Sequence, residues 1–117
     1  MTVWRGKMGF EFKKRGFPVE VAGYSFTLET GTAAARKLEA FGAEAKRLAG
    51  ELPKTAEGME TAWGFLAGTL DGLLGAGATD TIFAGREHDL FDLVDVLTYL
   101  CDAYKAQAAA ATAQWAS

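Results

Sequence analysis

Two hydrophobic rhythms divide this chain. Up to Leu28 two runs alternate apolar with polar residues, whereas from Thr32 onward apolar residues recur every three to four positions, the period of an α-helix. Phe10-Glu11-Phe12 alternates, and beyond Gly16 and Pro18 the run from Val19 to Leu28 alternates again across a break at Ala22-Gly23. This predicts a β-hairpin closed by a two-residue turn and preceded by a further strand. A meander that short cannot bury its own apolar face, so the helices that follow must cover it. The expected fold class is therefore α+β: an N-terminal β-hairpin or three-strand antiparallel meander, then three main α-helices and one short helical turn. The 117 residues suit a single domain, with residues 1–8 and 106–117 as its looser ends.

The first helix is expected to start near Thr30 or Thr32, either of which can cap it, and to run to Gly50 before Pro53. Ala34, Leu38, Phe41, Ala45, Leu48 and Ala49 share one face, opposite the solvated charges Arg36, Glu39, Lys46 and Arg47. The second helix should begin at Thr55 and stop at Gly75 and Gly77, burying Ala56, Met59, Trp63, Leu66, Ala67, Leu70, Leu73 and Leu74. Thr79 or Asp80 can cap one further turn that presents Ile82 and Phe83 before Gly85. The third main helix starts at Asp89 and runs at least to Tyr104, with Leu90, Leu93, Val94, Val96, Leu97, Leu100, Cys101 and Tyr104 inward. Alanine is a strong helix former, so the Ala-rich stretch from Ala106 should prolong it.

Two helix faces stand out. Gly64, Gly68 and Gly72 recur every four residues and line up along the second helix, with Phe65 beside them. Each glycine in an exposed helix interior costs about 1 kcal/mol against alanine, so something is expected to pack on them. A crossing helix or the hairpin of the same chain is the favoured occupant, because a small domain has few spare faces; a partner backbone is the alternative. On the third helix Phe91 and Tyr99 lie on an outward, acidic arc with Asp92, Asp95 and Asp102. Exposed aromatics mark partner surfaces, unless a loop or the basic N-terminal segment folds over them.

One cysteine, Cys101, and one histidine, His88, exclude an internal disulfide and a Cys/His zinc site. No stretch reaches the length of a signal-peptide core or a membrane helix, so a cytoplasmic, membrane-free protein is expected. Residues 1–16 carry a charge of +4 and the remainder −7, which leaves nucleic-acid binding resting on a short basic strand. The Gly-rich segment after Leu74 lacks the Gly-Lys-Ser/Thr ending of a phosphate loop, and no strand leads into it. His88 between Glu87 and Asp89 could serve as an acid or base, but a lone loop histidine is more simply solvated. Asp89, Asp92 and Asp95 are what a helix N-terminus attracts, so no metal is assigned to them. Ser25 and Ser117 have no base within sequence reach, and Cys101 lies on a buried face. The expectation is a non-enzyme, with no catalytic residue, metal or cofactor.

The order of elements carries one further signal. A short strand, the hairpin VEVAGYSFTLE, a helix reading KLEAFGAEAKRL, a second helix, and then LDGLLGAGATDTIFAGREHDLFDLVDVLTYLCDAY resembles the small tail proteins, often classed as tail assembly chaperones, of long-tailed phages and prophages of Gram-positive hosts. The junction is the most telling part: Leu-Leu-Gly, then Gly-Ala-Thr, an Ile-Phe pair, Gly-Arg and an Asp-initiated helix. The likeness spans residues 9 to 104; the basic first eight residues and the Ala-rich tail depart from it. It implies a non-enzymatic role in the host cytoplasm during phage assembly, in which the protein coats the helical tape-measure protein or delivers tail-tube subunits and can self-associate. Gly64, Phe65, Gly68, Gly72, Phe91 and Tyr99 are the residues such a partner would meet. A small nucleic-acid-binding or regulatory protein using the basic N-terminal strand is the alternative reading.

Overall fold

The computed structural model describes residues 16–116. The additional strand expected at Phe10–Phe12 and the basic first residues lie outside that range. Strands β1 (Phe17–Val21) and β2 (Tyr24–Leu28) form an antiparallel hairpin in which Val19 pairs with Phe26 and Val21 with Tyr24. The turn falls on Ala22 and Gly23, both at positive φ (54° and 85°), the conformation that matches the right-handed twist of the two strands. Alternation then sends Val19, Val21 and Leu28 into the core and Glu20 and Ser25 outward.

Helix α1 (Thr32–Gly50) follows at once. Its N-cap is Gly31, in extended conformation, rather than Thr30 or Thr32, because Thr32 already lies inside the first turn. The Thr30 carbonyl accepts a hydrogen bond from the Tyr104 hydroxyl at 3.3 Å, which ties the hairpin exit to the C-terminal helix. Helix α2 (Ala56–Leu74) begins as expected: the Thr55 hydroxyl oxygen accepts from the Gly58 N–H at 3.0 Å. Gly75, at φ 119°, ends it. Helix α3 (Ala78–Ile82) is the short turn; Gly77, at φ 85°, occupies its N-cap position in place of Thr79 or Asp80, both of which lie within it. Helix α4 (Leu90–Ala116) starts where the Asp89 carboxylate accepts the Phe91 N–H at 2.9 Å.

The three long helices pack on one another, with β1 against α4 and β2 against α2. Leu28, Leu66, Leu70, Leu93, Leu97 and Leu100 are the fully buried centre, while Leu38, Phe41 and Leu48 of α1 close one side. Ile82 and Phe83 are buried, so the short helix is the apolar plug its residues suggested. Three expected core residues stand outside it. Ala49 and Ala56 are exposed at the ends of their helices, and Met59 is 40% exposed. The inward line of α2 runs instead through Ala62, Leu66, Leu70 and Leu73. Beyond Tyr104 helix α4 continues for twelve residues, about 18 Å at 1.5 Å per residue, with Lys105–Ala110 exposed. Among the described residues, no helix is long and apolar enough to cross a membrane.

Candidate protein-interaction surfaces

Helices α1 and α2 leave a shallow groove between them. Its floor is made of small residues, Ala33 and Ala40 from α1 and Gly64 and Gly68 from α2, and Phe65, 46% exposed, stands at its edge. Arg36 and Lys37 supply positive charge along the α1 side. A Cβ built on Gly64 or Gly68 would meet nothing within 4 Å. Among the described residues the internal contact expected for these two glycines is therefore not made: the hairpin and α4 pack on the other faces of α2. Gly72 differs from the other two. A Cβ there would come within 2.7 Å of the Lys37 Cε, so the lysine side chain lies across this position and closes the glycine line at that end.

The second surface lies around Phe91. Trp63 stacks on His88 with ring centroids 4.3 Å apart and planes within 8°, and makes a T-shaped contact with Phe83 at 5.0 Å. Met59 and Phe91 join this pair to form a recess, with the carboxylates of Glu60, Glu87 and Asp89 along it. Leu90 and Phe91 also border an almost wholly apolar trough shared with Leu48, Leu52 and Val94. Leu52 is 43% exposed and Phe91 56%. No described residue covers this outward side of α4, which agrees with the acidic, aromatic arc read from the sequence. Tyr99 is exposed as well, two turns further along α4, but it lines neither the groove nor the recess. The six candidate residues thus fall on separate surfaces. Gly64, Phe65 and Gly68 share one, Phe91 lies on another, and Gly72 and Tyr99 stand apart.

The groups considered for chemistry have structural neighbours. Asp89 caps α4, and Asp92 faces Arg86 at 3.8 Å. His88 is exposed yet lies flat on Trp63, a contact that the reading of a fully solvated loop histidine missed. Burial pushes the Cys101 thiol above its ordinary value, with Asp102 adding to the effect and Lys105 opposing it, so it stays a protonated thiol at neutral pH. Among the described residues no three His, Cys, Asp or Glu side chains converge as a metal site.

Several residues that shape these surfaces were not legible in advance. Ala33 and Ala40 are seven apart on α1, flanking its core stripe, and only that spacing hinted that they share a face. Met59 fits the apolar period of α2 and was expected inward, whereas Leu52 lies between two helices, outside either helical period. A comparison with known proteins adds one match: residues 28–116 fit a group described as "Family of unknown function (DUF6673)". No curated protein and no solved structure matches the chain.

Proposed function

The chain belongs to the DUF6673 family, and we propose that it is a non-enzymatic phage tail assembly protein of the chaperone-like kind, acting in the host cytoplasm. In this reading it binds a helical tail component, the tape-measure or tail-tube protein, through helix-mediated contacts. The observation that carries the reading is the open glycine line. Gly64 and Gly68 lie in the middle of a 19-residue helix, where each costs about 1 kcal/mol against alanine, and nothing in the described chain uses the space they leave.

A helix laid into the α1–α2 groove would meet backbone rather than side chains along Gly64 and Gly68, with Ala33 and Ala40 permitting the same close approach on the other wall. Phe65 offers an aromatic edge to pack against, and Arg36 and Lys37 suit carboxylates on the incoming helix. Helix-in-groove recognition of this kind needs no catalytic group.

The test is co-expression of the chain with whichever tape-measure or tail-tube protein its neighbouring genes encode, followed by co-purification. Retention of one of them, and its loss with Gly68→Leu in a chain whose circular dichroism is unchanged and whose melting temperature is not lowered, is the expected result. Equal retention by the variant overturns the groove. Binding to DNA at low salt in place of either protein would favour the nucleic-acid reading instead.

A further inference from the structure

The surface around Phe91 has a matching occupant within the same chain. We infer that residues 1–15 fold back onto it, their basic and aromatic side chains covering the Trp63–His88–Phe91 recess and the apolar trough beside it.

Charge is the first reason. Between Glu57 and Tyr104 the sequence holds nine carboxylates and a single cation, Arg86, which already faces Asp92 at 3.8 Å. Glu60, Glu87 and Asp89 line the recess itself. Residues 1–15 hold five cations, Arg5, Lys7, Lys13, Lys14 and Arg15, against one carboxylate, Glu11. Opposite charges on two parts of one chain steer them together, and partial desolvation in a recess strengthens the attraction.

Apolar matching is the second. The recess and trough expose Met59, Leu52 and Phe91, three large side chains on one connected surface. Residues 1–15 bring Trp4, Phe10 and Phe12. Burial of aromatic side chains on such a surface offsets part of the ordering cost of the segment.

Reach is the third. Gly16 packs against Thr27 and Leu28 at the open end of the hairpin, and two residues further on Thr30 is joined to Tyr104. Phe91 lies thirteen residues back along α4, about 20 Å away, whereas fifteen extended residues span up to about 50 Å. The α1–α2 groove is the competing site for this segment, but Arg36 and Lys37 give it the wrong charge.

A nitroxide on the full chain tests this, attached at Met8→Cys with Cys101→Ala. Loss of the amide signals of Leu90–Val94 and of the Trp63 indole, reversed in part by Phe91→Ser or by about 1 M salt, where the Debye length is about 3 Å, is the expected result. Unchanged signals overturn the proposal, and so does signal loss at Gly64 and Gly68 instead. Loss only between a labelled and an unlabelled copy also overturns it, since the segment then belongs to a neighbour. A zero-length carboxyl–amine cross-linker applied to the unsubstituted protein gives an independent reading. It should join Lys7, Lys13 or Lys14 to Glu60, Glu87 or Asp89, and cross-links confined to other carboxylates count against the proposal.

Discussion

Asp71 caps helix α3 from eight residues upstream: its Oδ1 accepts the Thr79 backbone N–H and lies 2.8 Å from both that nitrogen and the Thr79 Oγ1. An acidic residue in the last turn of α2 opposes that helix's own dipole, so its place there calls for a reason. The open donors at the start of α3 supply it. Thr79 is buried, and its hydroxyl, also 3.1 Å from the Ala67 carbonyl, closes the junction between α2 and the Ile82–Phe83 plug. Asp71→Ala should therefore destabilise the protein by about 2 kcal/mol, more than an ordinary cap, because it leaves the buried Thr79 N–H unpaired. In urea unfolding, Thr79→Val combined with Asp71→Ala should cost clearly less than the sum of the two. Full additivity would mean that the two groups do not act together.

The exposed glycines predict the opposite sign. Gly64→Ala and Gly68→Ala should each stabilise the isolated protein by about 1 kcal/mol, since the new methyl group meets nothing and helix propensity rises. Gly72→Ala should gain less, because Lys37 must move aside. Denaturant midpoints of the three variants separate these cases. Destabilisation at position 64 or 68 would show that something packs there after all.

Core and surface aromatics should differ just as sharply. Leu97 is fully buried between helices, and Leu97→Ala should cost about 3 kcal/mol, a large part of the stability of a domain this size. Phe91→Ser, on the outward face, should change the stability of the folded helices little. Thermal melts of the two variants check the contrast.

The pH dependence should have an alkaline component from Cys101. Its folded-state value is raised by burial, so its contribution to stability is fully present below the ordinary thiol range. That contribution falls as the pH climbs through the unfolded and then the folded value. Stability measured from neutral to alkaline pH should therefore decline less steeply in Cys101→Ala. The native thiol should also react slowly with an alkylating reagent and quickly once denatured.

A smaller acid-side effect belongs to Glu44. Arg47 donates to both of its carboxylate oxygens, at 2.6 and 3.0 Å, and this hydrogen bonding holds the carboxyl below its usual value. The pair stabilises α1 above the ordinary carboxylate range and loses that effect as the pH falls through the lowered value. Glu44→Gln should flatten this part of an acid unfolding curve slightly, and added salt should shrink the difference, as the pair is exposed.

Much of the molecule follows from local chemistry that a sequence carries in the open. The alternation from Val19 to Leu28 and the Ala22-Gly23 break define the hairpin. Thr55, Asp89, Gly50 and Gly75 mark helix ends, and the 3.6-residue period selects Leu38, Leu66, Leu93 and Leu97 for the interior. The α4 extension through the alanines rests on propensity alone. All of these depend on residues within a turn or two of one another.

The tertiary arrangement decided the rest. Periodicity says that α2 has an inward side, but not how far along its length another element covers it, so Met59 is exposed and Ala62 buried. Likewise three glycines four residues apart say only that a backbone is bare. That Gly64 and Gly68 face open space while Lys37 lies over Gly72 depends on the distance between α1 and α2. The Asp71 cap of α3 and the stack of His88 on Trp63 join residues that share no local pattern. Sequence determines which faces can be buried. Which of them remain open, and so free to meet another chain, follows only from where the packed helices end.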